Sequence, residues 1–104
     1  MYWVGARDGK VRPCLVISVS RRNELASDVV IIPGSSQLRF GPWHVPLRKG
    51  EAGLRKATVL RCEEPLTVAK ERLRERIGGP LSPARLAEVE RALASALGFG
   101  GDVE

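Results

Sequence analysis

A chain of 104 residues has material for one hydrophobic core and one domain, and 43% hydrophobic with 28% charged residues excludes disorder over most of its length. The apolar runs, such as VVII at 29–32, are far short of the roughly 20 residues of a membrane helix. The opening MYWVGARDGK lacks the long apolar region and cleavage site of a secretory signal, so the expected location is the cytoplasm, with no membrane partner.

The formal charge is +5, and it is unevenly placed. The first fifty residues hold eight bases and three acids, whereas the rest of the chain holds nine of each. An excess of cations on the turns and strand ends of one half points to a polyanionic partner.

In chain order, YWV reads as a short strand and GARDGK as a polar turn. RPCLVISVS then reads as a strand whose apolar residues are consecutive as well as alternate, the pattern of a central strand covered on both faces. Pro13 stands near its beginning, where a missing N–H costs least. RRNELASD is polar, a helical turn or a loop, and VVIIP is a second buried strand, expected to close at Pro33 and the turn-forming GSS. In PWHVPL the alternation of Trp43, Val45 and Leu47 predicts a strand with one covered face, Trp43 in the core and His44 at the surface, and Pro46 marks an edge.

RKGEAG is a loop, TVLRCEEPLTV a strand bent or broken at Pro65, and AKERLRERI a helical turn before a short strand near Ile77. The segment SPARLAEVERALASALG has Ser82 as N-cap, Pro83 in the first helical position and Gly98 just past the end. Leu86, Val89, Leu93 and Leu97 make its apolar stripe, so the helix is expected to pack on the sheet. The fold class is therefore mainly β with a C-terminal helix, a small twisted sheet or partial barrel. Residues 1–98 form the single domain, and 99–104 are expected to be a flexible tail.

Few residue patterns offer chemistry. Cys14 and Cys62 lie far apart in apolar runs and read as buried hydrophobes. His44 is the sole histidine, which excludes a two-histidine acid–base mechanism within one chain. Glu63 and Glu64, taken as strand neighbours, would point to opposite faces and make a poor chelating pair, and no metal cluster stands out. The glycines match neither a phosphate-binding loop nor a dinucleotide fingerprint, so no cofactor is expected. Arg12 at the start of one strand and PGSSQLR at the end of another remain. A guanidinium presents a planar, permanently charged fork of donors suited to a phosphate, and Ser35 and Ser36 add hydroxyls.

Taken in order, GKVRPCLVIS, VVIIPGSSQLR, PWHVPL, GEAGLRKATVLRCEEPLTVAKERL and the terminal LSPARLAEVERALASALG resemble the MazF/PemK family of toxin endoribonucleases. The resemblance implies a CcdB-like, SH3-like barrel, a homodimer, a cognate antitoxin and metal-independent cleavage of single-stranded RNA. It assigns catalysis to Arg12, through its RP motif, and to Ser35, which stands where the family has threonine. Lys10, Ser36, Gln37 and Arg39 become the expected RNA-binding residues. It also implies attack by the RNA's own 2′-OH, leaving 2′,3′-cyclic phosphate and 5′-OH ends.

Three departures accompany the resemblance. The first loop, GARDGK, is shorter than is usual in the family, Glu63 and Glu64 stand where the family often has Asp-Gln, and Ser35 lacks the threonine methyl. Two other readings follow: a CcdB-like toxin that blocks a protein target, or a catalytically weakened, RNA-binding family member. Aromatics, 5% of residues, are too few for an extended base-stacking platform.

Overall fold

In the computed structural model, which describes residues 1–5, 8–38 and 40–99, seven strands form one antiparallel sheet with a helix against one face. The strands are β1 (Tyr2–Gly5), β2 (Val11–Val16), β3 (Asp28–Ser35), β4 (His44–Leu47), β5 (Thr58–Arg61), β6 (Leu66–Ala69) and β7 (Leu73–Arg76). The helices are α1 (Ser20–Leu25) and α2 (Pro83–Ala96). The order across the sheet is β4-β5-β3-β2-β1-β7, and β6 also pairs with β3.

The consecutive apolar residues of β2 divide between two cores. Cys14 packs with Val4, Val29, Ile31 and Val68, and its neighbour Leu15 packs with Ile32, Val45, Leu60 and the helix residues Val89 and Ala92. Ile31 and Ile32 repeat the division on β3, opposite Val16 and Leu15. Full burial of each such aliphatic side chain contributes about 1.5–3 kcal/mol, so both faces of this strand pair hold the fold together.

β3 does not close at Pro33 but continues through Gly34 to Ser35. Asp28 to Ile31 pair with β6, whereas Gly34 and Ser35 pair with β5. Pro33 lies between these pairings, where its missing N–H interrupts neither. β5 and β6 are one run of chain, and the break that the sequence places at Pro65 begins earlier, with a turn directly after Arg61, and ends at Pro65. Gly34 permits the convergence. A Cβ there would lie 2.8 Å from Thr58 Cγ2 and 3.1 Å from the Pro13 carbonyl oxygen.

β4 is the edge strand that Pro46 predicts, with Val45 and Leu47 buried. Trp43, expected in the core, precedes the strand and is 40% exposed, because the alternating pattern begins only at His44.

In α2 the Ser82 hydroxyl accepts the Arg85 N–H at 3.2 Å, and Gly98 takes φ of 73° past the end. Its buried residues are Val89 and Ala92, and Leu93 packs beside them. Leu86 and Leu97 of the expected stripe stay about 40% exposed, since only the middle of the helix faces the sheet. The Phe99 N–H donates to the Ala94 carbonyl, so the first residue of the expected tail still caps the helix. Residues 100–104 lie outside the described residues.

Candidate functional site

The strand ends singled out by sequence meet at one cleft of about 810 Å³. Lys10, Arg12 and Pro13 enter from the start of β2, and Gly34, Ser35, Ser36 and Gln37 from the end of β3. The β2–β3 register places Cys14 opposite Pro33, which brings the beginning of one strand to the end of the other. Five of the six expected site residues thus line one surface, and Arg39 lies outside the described residues.

Sequence reasoning missed the opposite wall. Arg55 and Lys56, just before β5, and Arg61, at its end, line the same cleft, as does Trp3 of β1. The signal available was the basic pair in GLRKAT, whose position depends on β5 pairing with the last two residues of β3.

Arg12 holds Asp8 through a two-pronged ion pair, Nη2 to Oδ2 at 2.9 Å and Nη1 to Oδ1 at 3.3 Å. Asp8 Oδ1 also accepts the Lys10 N–H at 3.0 Å, tightening the turn before β2. The Arg12 guanidinium, followed by the Lys10 N–H, holds the Asp8 carboxyl below its usual range. Both partners are more than 40% exposed, so solvent screens the pair and an incoming anion can compete for the fork.

The Ser35 hydroxyl oxygen accepts the Gln37 N–H at 3.1 Å. A hydroxyl that accepts in this way keeps its own hydrogen to donate elsewhere.

Glu63 and Glu64 do not alternate across a strand, because β5 ends at Arg61 and a turn follows, closed by the Glu64 N–H on the Arg61 carbonyl at 3.0 Å. Glu64 lines the cleft and pairs with Arg61 at 2.7 Å, so its charge is partly neutralised there. Glu63 Oε2 is 2.5 Å from His44 Nε2, and its Oε1 is 3.7 Å from Arg61 Nε. His44, expected at the surface, has a side chain only 14% exposed, covered because β4 sets it directly opposite Arg61.

Cys14 and Cys62 are fully buried free thiols, and burial pushes each up to about 11, as expected of core residues. Among the described residues no group of three or more metal-ligating side chains converges, and no helix is long and apolar enough to cross a membrane.

Residues 2–97 match the family described as PemK-like, MazF-like toxin of type II toxin-antitoxin system. Among solved structures the chain is similar to an endoribonuclease in complex with its cognate antitoxin from Mycobacterial species, at 24% identity and a TM-score of 0.81, over 94% of this chain and 90% of that one. It is similar to the Mycobacterium tuberculosis toxin MazF-mt6 at 22% identity and a TM-score of 0.80, over 99% and 100% of the two chains. MazF from Deinococcus radiodurans is 25% identical, with a TM-score of 0.79, over 94% and 92%.

Proposed function

The chain belongs to the PemK-like, MazF-like toxins of type II toxin–antitoxin systems, and on that premise we propose that it is a metal-independent endoribonuclease acting on single-stranded RNA. The observation that carries this reading is the meeting of Arg12 and Ser35 in one cleft with Lys10, Arg55, Lys56 and Arg61. Cations on both walls attract a phosphate backbone. The chemistry belongs to the strand ends between them.

In this reading the RNA backbone enters the cleft, and a phosphate takes over the Arg12 fork from Asp8. The 2′-oxygen attacks the adjacent phosphorus, the P–O5′ bond breaks, and the products carry a 2′,3′-cyclic phosphate and a 5′-OH. Arg12 neutralises the charge that builds on the phosphorane, its two prongs matching two phosphate oxygens. An arginine stays charged at any physiological pH and is a poor proton donor, so stabilising charge rather than moving a proton is its role. Ser35 donates its hydroxyl hydrogen to a non-bridging oxygen and orients the phosphate. DNA has no 2′-OH and is not cut.

The Mycobacterial endoribonuclease solved with its cognate antitoxin supports an antitoxin partner for this chain as well. An acidic antitoxin segment laid across the cleft would compete with RNA for the same cations. The active form is a homodimer in this reading.

The test is incubation of the purified protein in EDTA with a long single-stranded RNA and with its DNA copy. Cyclic-phosphate fragments from RNA alone, with the rate lowered about 10²–10³-fold in Arg12→Ala, are the expected result. Intact RNA with a folded protein sinks the nuclease reading. RNA that is bound but uncut then identifies a weakened family member, whereas no RNA binding favours a toxin that blocks a protein.

A further inference from the structure

Trp3 is the largest side chain of β1, and among the described residues it joins neither hydrophobic core. Its neighbours behave differently: Val4 is buried in one core, and Tyr2 packs against the same one. A strand sends successive side chains to opposite faces, so Trp3 points away from that core. There it lines the basic cleft. Among the described residues no aromatic ring, cation or hydrogen-bond partner holds the indole.

The β1–β2 register sets what stands beside it. Trp3 lies opposite Pro13, and Val11, two residues before Pro13, shares its face. All three line the cleft, and Val11 is half exposed, so they form an apolar shelf. Pro13 directly follows Arg12 in the chain, and Lys10 and Arg12 line the same cleft. An aromatic shelf beside permanent cations matches the two halves of a nucleotide, a flat base and a charged phosphate. The cleft, at about 810 Å³, has room for both.

We propose that Trp3 is a base-stacking residue, its indole carrying the base of a nucleotide that flanks the phosphate held by Arg12. This inference rests on the part of the nuclease reading in which RNA occupies the cleft. Every base has a π face, so the contact holds RNA with little regard to sequence. It requires an unstacked base, which single strands can offer and duplexes cannot. Trp3 therefore adds a preference for single strands that the cations alone do not give.

The test uses Trp43→Phe, which leaves Trp3 as the only tryptophan. Its fluorescence is followed during titration with two 2′-deoxy strands of equal length and charge, an oligoadenylate and an abasic strand. Stacking is expected to quench Trp3 with the adenine strand and to leave it nearly unchanged with the abasic one. In anisotropy titrations Trp3→Ala is expected to bind the adenine strand about 5- to 150-fold more weakly, the range for removing one stacked base. Its affinity for the abasic strand and its salt slope should match wild type, since no phosphate contact is lost. Trp3→Phe keeps a π face and should retain most of the affinity, whereas Trp3→Leu keeps only apolar bulk and should lose it.

Equal quenching by both strands overturns the role. So does Trp3→Leu binding as well as Trp3→Phe, or a loss in Trp3→Ala that is the same for both strands, because a packing residue behaves that way. RNA cleavage by wild type without the adenine-specific quenching sinks this inference and leaves the nuclease reading intact. Adenine-specific quenching by a protein that cuts no RNA sinks the nuclease reading and leaves Trp3 its role. A folded protein that neither binds nor cuts sinks both.

Discussion

Asp8 and Arg12 face one another fork to fork, Nη2 on Oδ2 and Nη1 on Oδ1, and Arg12 also lines the basic cleft. The carboxylate occupies the donors that a phosphate would use. Asp8→Asn is expected to bind RNA about threefold more tightly at low salt, with the gain shrinking as ionic strength rises. Anisotropy titrations at two salt concentrations measure this. Weaker binding in Asp8→Asn, comparable with Arg12→Ala, would show instead that the carboxylate aims the guanidinium.

The wall formed by Arg55 and Lys56 should act through charge alone. Each neutralised phosphate on a single strand contributes about 0.7 to the slope of log affinity against log salt, so Arg55→Ala and Lys56→Ala should each flatten the slope by that amount. Cleavage at saturating RNA should change little in either variant. A large fall in the rate at saturation would place these residues at the reacting phosphate, contrary to the assignment of Arg12.

Gly34 is the seam where β2, β3 and β5 converge, and two of the three nearest contacts for an added methyl belong to Pro13. Gly34→Ala is expected to cost about 1–3 kcal/mol by overpacking. Because Ser35 is the next residue, cleavage should fall as well, even where the variant remains folded. Urea unfolding together with a cleavage assay checks both, and wild-type stability would mean that Thr58 and Pro13 yield easily.

Glu51 ties the loop before β5 to α2 through a two-pronged pair with Arg85, at 2.7 and 2.9 Å. Arg85, followed by the Arg48 N–H, lowers Glu51 from 4.5 to about 2. A carboxylate whose folded value is depressed stabilises the fold fully above its unfolded value, and loses that contribution as pH falls through the folded one. Glu51→Gln should therefore cost about 1 kcal/mol at pH 7, and the difference from wild type should shrink between pH 4.5 and 2. Unfolding curves for both proteins at pH 7 and near pH 2 read this directly, and a constant difference across that range would contradict it.

Much of the site was legible from local order. Arg12 beside Pro13 and the serines after Pro33 could be marked because strand ends and turn residues are local properties of a chain. Arg55, Lys56 and the pairing of His44 with Glu63 could not, since each depends on which strand β5 joins and in what register. The placement of Trp43 failed because alternation predicts a face only where the strand persists, and β4 starts one residue after Trp43, whereas His44 is covered through its register opposite Arg61.

The chain's own pattern determined the mainly β class, the edge strand at Pro46, the break that ends at Pro65 and the capped terminal helix, because hydrophobic period and backbone restriction act over a few residues. The tertiary structure decided that β3 runs past Pro33, that two basic segments face one another across a cleft, and that Glu63 turns to the histidine while Glu64 turns to the cleft. Those outcomes follow from strand pairing between distant segments, where a shift of one residue sends every side chain to the other face.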